Sequence, residues 1–175
     1  MESLERINEN LWNRYKLRMN VRIGIHSGEV HAGNVGSQDR LNYTVLGNTV
    51  NLAARLEPAN KVFGTSVLVS DFVREKAGRD FIFRCIGFIT IRGFAHPVRV
   101  HELINATSKL SNSEVTKMQN YTHVDAALMQ SQGYDLPISM LQKYVTDFPD
   151  DLPAANCSKL ATTANISFSD KLTSI

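Results

Sequence analysis

Asn51 and Arg55 are the two residues whose types and spacing first suggest chemistry. They lie four positions apart in Gly47 to Pro58, GNTVNLAARLEP. If that stretch is helical, both project from the same face. An amide and a guanidinium held side by side form a clamp suited to a phosphate-bearing ligand, because the planar guanidinium presents paired donors. An Asn and an Arg on a solvated helix face would show the same spacing. The helix is expected to start at Asn48, a good N-cap residue. It is expected to stop at Pro58, which lacks the N–H needed to continue.

The elements around this clamp follow from hydrophobic periodicity. Leu4, Ile7, Leu11 and Tyr15 fall at spacings of three and four, predicting an amphipathic helix over residues 2–18. Val21, Ile23 and Ile25 alternate with Arg22, Gly24 and His26, as in a strand. Ser27-Gly28 breaks the strand, which resumes through Val30 and Ala32. Gly24, Gly28, Gly33 and Gly36 imply tight turns or close backbone approach, but they match neither a P-loop nor a dinucleotide fingerprint. LNYTVL, residues 41–46, reads as a strand leading into the clamp helix. After it come a strand over 65–69, a short helix capped by Ser70 and closed by Gly78, and two strands, FIFRCIGFITIRG and PVRVHELI. This order of elements predicts an α+β or α/β fold with one layered core.

From Asn105 the composition turns polar, and residues 105–118 read as a linker. Residues 121–132 and 136–148 predict two short helices joined through Gly133, and PDDLPAANCSKL begins a third with Pro153 in its first turn. The last dozen residues are expected to fray. The expected division is 1–104, 105–118, 119–163 and 164–175.

The bulk numbers fit an ordinary globular chain: 175 residues, 43% hydrophobic and 21% charged. A formal charge of +2 is too small to argue for nucleic acid or an anionic membrane. Cys85 and Cys157 fit neither a zinc pattern nor a disulfide framework, which favours a reducing, cytoplasmic setting. The N-terminal stretch lacks the apolar centre of a signal peptide, and no run is long enough to span a bilayer.

With these residues laid out, the chain resembles the class III nucleotide cyclases, the adenylate and guanylate cyclase family. The likeness runs from about Val21 to Leu103 and rests on RIGIHSGEVHAGNVGS, YTVLGNTVNLAARLE, IRG and PVRVHEL. It implies a ferredoxin-like palm working as a head-to-tail dimer, with ATP bound across the interface and converted to cyclic AMP and pyrophosphate. The family's N-x-x-x-R pair falls on Asn51 and Arg55, the catalytic pair. There the Asn orients the ribose and the Arg stabilises charge on the α-phosphate. Thr44 falls at the base-selecting position and is compatible with adenine, since a hydroxyl both accepts and donates; a β-branched residue also simply suits a strand. Arg92 falls where a basic residue, usually lysine, holds the terminal phosphates. His26 reads as structural.

The departures from the family are equally specific. The complete family site holds Mg²⁺ or Mn²⁺ on two strand-borne aspartates. Here Asp39, Asp71, Asp80, Asp125, Asp135, Asp147, Asp150, Asp151 and Asp170 are all expected in loops, helices or the tail, so no metal ligands are assigned. The lysine that partners the base-selecting residue is also missing. The resemblance therefore implies an incomplete palm, the C-terminal part of the domain, followed by a small helical appendage that resembles a single TPR-like helix pair. Val21, Ile23 and Ile25 would then lie on a bare sheet edge, favouring pairing with a second copy or with another cyclase domain. Two alternatives stand beside the adenylate cyclase reading: an inactive regulatory module that pairs with cyclase domains, and a guanylate cyclase.

Overall fold

The computed structural model describes residues 2–37, 40–90, 94, 96–131 and 137–163. The chain begins with helix α1 (Glu2–Tyr15), strand β1 (Ile23–Ile25), and the hairpin of β2 (His31–Ser37) and β3 (Arg40–Leu46). Helix α2 (Asn48–Phe63), β4 (Val67–Ser70), α3 (Asp71–Ala77), β5 (Phe81–Ile89) and β6 (Val98–Ala106) follow. Three helices complete the described chain: α4 (Asn112–Gln130), α5 (Ile138–Asp147) and α6 (Leu152–Thr163). The architecture is α+β, one of the two classes that the order of elements predicts.

Four strands form one sheet in the order β1-β4-β6-β5, and β2 and β3 pair antiparallel in a separate two-stranded sheet. β1 runs parallel to β4, while β4–β6 and β6–β5 are antiparallel. Gly24 makes the β1–α2 contact possible. A Cβ there would meet Glu57 N at 2.4 Å and Ala53 O at 2.7 Å, both backbone atoms. The other face of β1 is bare: Ile23 and Ile25 are 43% and 37% exposed, and Val21, just before the strand, is 40% exposed.

Two expectations about α2 are corrected. Its N-cap is Gly47, at φ 144°, and no side chain caps it. Thr49 in its first turn instead ties down the connection between β1 and β2, its hydroxyl donating to Glu29 O at 2.8 Å. The helix also does not end at Pro58; it continues to Phe63 and closes at Gly64 in the left-handed region, whose N–H donates to Asn60 O. Pro58 deprives only the carbonyl of Ala54 of its helical partner, and Ala54 is exposed, so water can satisfy it. The last turn is held by buried Asn60. Its Nδ2 lies 3.0 Å from Leu56 O and 3.0 Å from Ile23 O, and its Oδ1 accepts from the Thr65 hydroxyl.

The polar stretch after β6 is shorter as a connection than its composition suggests. α4 begins at Asn112, inside the segment read as a linker, with Ser111 and Glu114 forming a capping box. The helices beyond it are part of the core. Tyr121, Val124, Leu128, Leu141, Ala154 and Cys157 are buried in one cluster with Leu52, Leu56 and Phe63 of α2 and Ile86 and Ile89 of β5.

The outer edge of β5 is where the helices attach. The β5–β6 register shifts between Cys85 and Gly87, leaving backbone groups there without strand partners. Side chains of the helices supply them. Asp125 accepts from Cys85 N at 2.6 Å, Tyr121 donates to Cys85 O at 3.1 Å, and the Cys157 thiol donates to Ile86 O. Beside them Arg84, fully buried, makes a bidentate pair with Asp151 at 2.6 and 3.0 Å and a third bond to Glu102 at 2.6 Å. Tyr144 adds a hydrogen bond to Asp151.

Candidate functional site

α2 divides its residues between two duties. Leu52, Leu56, Ala59 and Phe63 are buried and fix the helix against the sheet. Asn51 and Arg55 flank that buried face, both exposed, with no side-chain hydrogen bond or ion pair to another described residue. Their donors are thus available to a ligand, and neither side chain is spent on holding the fold. The neighbouring charge is already engaged: Glu57 accepts from Arg22 Nε at 2.8 Å, an exposed pair that contributes little to stability.

Thr44 sits on β3, opposite Gly33 of β2, and is the half-buried position of a strand that is otherwise exposed. The hairpin leads straight into α2 through Leu46 and Gly47, so Thr44 and Asn51 are seven residues apart across a strand-to-helix turn. Arg92 lies outside the described residues, as do Asp39, Asp135 and Asp170.

His26 has a local role, as expected. Its Nδ1 lies 2.7 Å from the Ser70 hydroxyl, which also caps α3, and its ring meets Phe72 edge-on. Burial pushes its pKa below the ordinary value, which favours the neutral ring.

Among the described residues no three His, Cys, Asp or Glu side chains converge. Asp71 is occupied by Arg74, Arg99 and His101, Asp151 by Arg84, and Asp125 by the Cys85 amide. The described residues therefore do not fit the family's metal ions. Apart from Arg74, three residues from Asp71, the partners of these aspartates come from elements 28 to 67 residues away, which is why sequence reasoning missed them.

A family model, the adenylate and guanylate cyclase catalytic domain, matches residues 1–105. The chain belongs to this family. The match reaches further towards the N-terminus than the motifs by which the likeness is read, and takes in α1. Among relatives, the chain is 38% identical over 93 residues to adenylate cyclase 1 of Rhizobium meliloti, covering 53% of this chain and 14% of that one. It is 27% identical over 134 residues to the terminal-differentiation-specific adenylate cyclase of Dictyostelium discoideum, covering 75% and 6%. The chain thus spans a small part of the length of either relative. Its fold is similar to the crystal structure of the adenylyl cyclase CyaB from P. aeruginosa, with a TM-score of 0.54 and 26% identity, covering 63% of this chain and 56% of that one. It is similar to the guanylyl cyclase Cya2 at a TM-score of 0.51 and 26% identity, covering 63% and 55%. No described helix is long and apolar enough to cross a membrane.

Proposed function

We propose that this chain supplies the ribose- and phosphate-contacting half of an adenylate cyclase site, which converts ATP to cyclic AMP and pyrophosphate. Asn51 orients the ribose. Arg55 meets the charge that builds on the α-phosphate oxygens as the 3′-hydroxyl attacks, with a guanidinium already in place before the reaction begins. Thr44 reads the adenine edge, and Arg92 holds the terminal phosphates. The half that would hold Mg²⁺ or Mn²⁺ comes from another, longer cyclase domain that carries the two aspartates, paired head to tail. The helices α4 to α6 form a TPR-like segment packed on the palm.

One observation supports this reading above the rest: Asn51 and Arg55 stand one turn apart, exposed and unengaged, on a helix whose buried face is anchored in the core. The experiment is to mix the chain with a full-length cyclase whose own Asn and Arg have been removed, and to measure cyclic AMP. Restored activity that disappears with Arg55→Ala supports the proposal. Absence of restoration with a chain shown to bind its partner refutes it.

A second reading, a non-catalytic module that pairs with cyclase domains, is favoured by the engagement of Asp71, Asp125 and Asp151 in structural bonds. It predicts inhibition of an intact cyclase that survives Arg55→Ala. A guanylate cyclase assignment would require GTP to replace ATP in the same mixture.

A further inference from the structure

Between α3, β5, β6 and α4 lies a cavity of about 630 Å³, open to solvent on one side. It shares no residue with α2 or β3, and the nucleotide site proposed above makes no use of it. Its volume falls within the roughly 300–1,000 Å³ of pockets that take small molecules.

The lining is sorted by chemistry. Phe81 and Phe83 of β5, with ring centroids 6.3 Å apart, face Met118 and Met129 of α4. Aromatic rings and flexible thioethers accommodate an apolar body of irregular shape. Positive charge comes from Arg74 and Arg79, in α3 and the turn after it. Arg74 uses Nε to bond Asp71 at 3.0 Å, but no bond to its terminal nitrogens is present among the described residues. Arg79 is exposed, and its guanidinium makes no ion pair among them.

Of the other titratable groups in the lining, Asp125 has one carboxylate oxygen committed to the Cys85 amide, and burial pushes its pKa above the ordinary value. His101 is held neutral near pH 7, because burial lowers its pKa to about 4 against the opposing pull of Asp71.

We infer that this cavity binds a small amphipathic acid, its apolar body against Phe81, Phe83, Met118 and Met129 and its anionic head on Arg79. The site straddles the seam between the strands matched to the cyclase family and helix α4 beyond that match. A bound acid therefore braces the palm against the helical segment, and binding to the folded chain alone stabilises it by mass action.

The test uses the intact chain with decanoate, decanol and decylamine as probes, by titration calorimetry and thermal unfolding. Decanoate is expected to bind one to one and raise the unfolding midpoint. Decanol, lacking the charge-assisted hydrogen bonds, is expected to bind about tenfold more weakly or worse, and decylamine not at all. Arg79→Gln should reduce decanoate to the affinity of decanol and leave the unliganded midpoint unchanged, since its side chain is exposed. Met118→Trp should fill the cavity and abolish binding of both. The inference is overturned by decanol or decylamine binding as tightly as decanoate, by Arg79→Gln having no effect, or by the absence of saturable binding. Binding to anionic phosphatidylglycerol vesicles without any response to free decanoate also overturns it, and would assign the surface to lipid headgroups.

Discussion

Asp151→Asn should cost this chain a large share of its stability. Arg84 has no solvent exposure, and its three short bonds all go to carboxylates, two of them to Asp151. A charge pair about 4 Å apart at an effective dielectric of about 20 interacts by about 4 kcal/mol. Removing one partner of such a buried pair typically costs 3–5 kcal/mol, because the remaining charge stays buried without compensation. Glu102 still faces Arg84 in the variant, which places the expected loss near the lower end, about 3 kcal/mol. With a urea slope of about 2 kcal/mol/M, the midpoint should fall by about 1.5 M. Far-UV circular dichroism is the appropriate probe, since Trp12 lies on exposed α1 and would not report on the core. Tyr144→Phe serves as the scale, removing one neutral donor to Asp151 at a cost of about 1 kcal/mol. Replacing the whole cluster, Arg84→Met with Asp151→Leu and Glu102→Leu, should recover much of the loss. A change under about 0.5 kcal/mol for Asp151→Asn would refute the reasoning. So would a biphasic transition in which the sheet unfolds at its original midpoint.

Acid should unfold the chain through the same group. Burial alone would raise the Asp151 pKa, but its bonds to Arg84 and the nearby Lys117 bring it below the usual carboxylate range. The stability it contributes is therefore present above about pH 4 and is lost as pH falls through the depressed value, a slope that Asp151→Asn should remove from a denaturation series. His101 acts at higher pH. Its folded value of about 4 lies below 6.5, so the unfolded chain binds the proton first and stability falls as pH drops from 6.5 to 4. That contribution is up to about 3 kcal/mol, and His101→Gln should flatten it in urea titrations at each pH. Gly24→Ala should cost about 2–3 kcal/mol by forcing β1 away from the α2 backbone, read as a lower thermal midpoint. Asp125→Ala should strand the Cys85 amide at the β5 edge and cost about 1–3 kcal/mol in the same assay.

Local signals in the sequence were faithful where one residue decides the outcome. Ser70 does accept from the Val73 amide and Gly78 does close α3 at φ 63°, because caps and glycine turns are fixed by neighbours in the chain. Pro58 misled because the cost of its missing N–H depends on whether the orphaned carbonyl reaches water, and Ala54 is exposed. The start of α4 was written in Ser111 and Glu114, but a capping box inside a Ser- and Asn-rich stretch resembles a loop until the helix is seen. Burial of Arg84 was illegible for a different reason. Its main partner is 67 residues away, so nothing local distinguishes it from a surface arginine. At the candidate site the spacing of Asn51 and Arg55 correctly placed them on one exposed face, since helix geometry alone sets that relation.

The helices that close over Cys85 also limit how copies of this chain can join. Of the two flanks of the four-stranded sheet, one is plugged at its middle by Asp125 and Tyr121, while the β1 flank meets no described strand. Within the four-stranded sheet such a unit is monovalent for strand addition: once two copies have met at the β1 border, that sheet offers no second one, and growth through it stops at a pair.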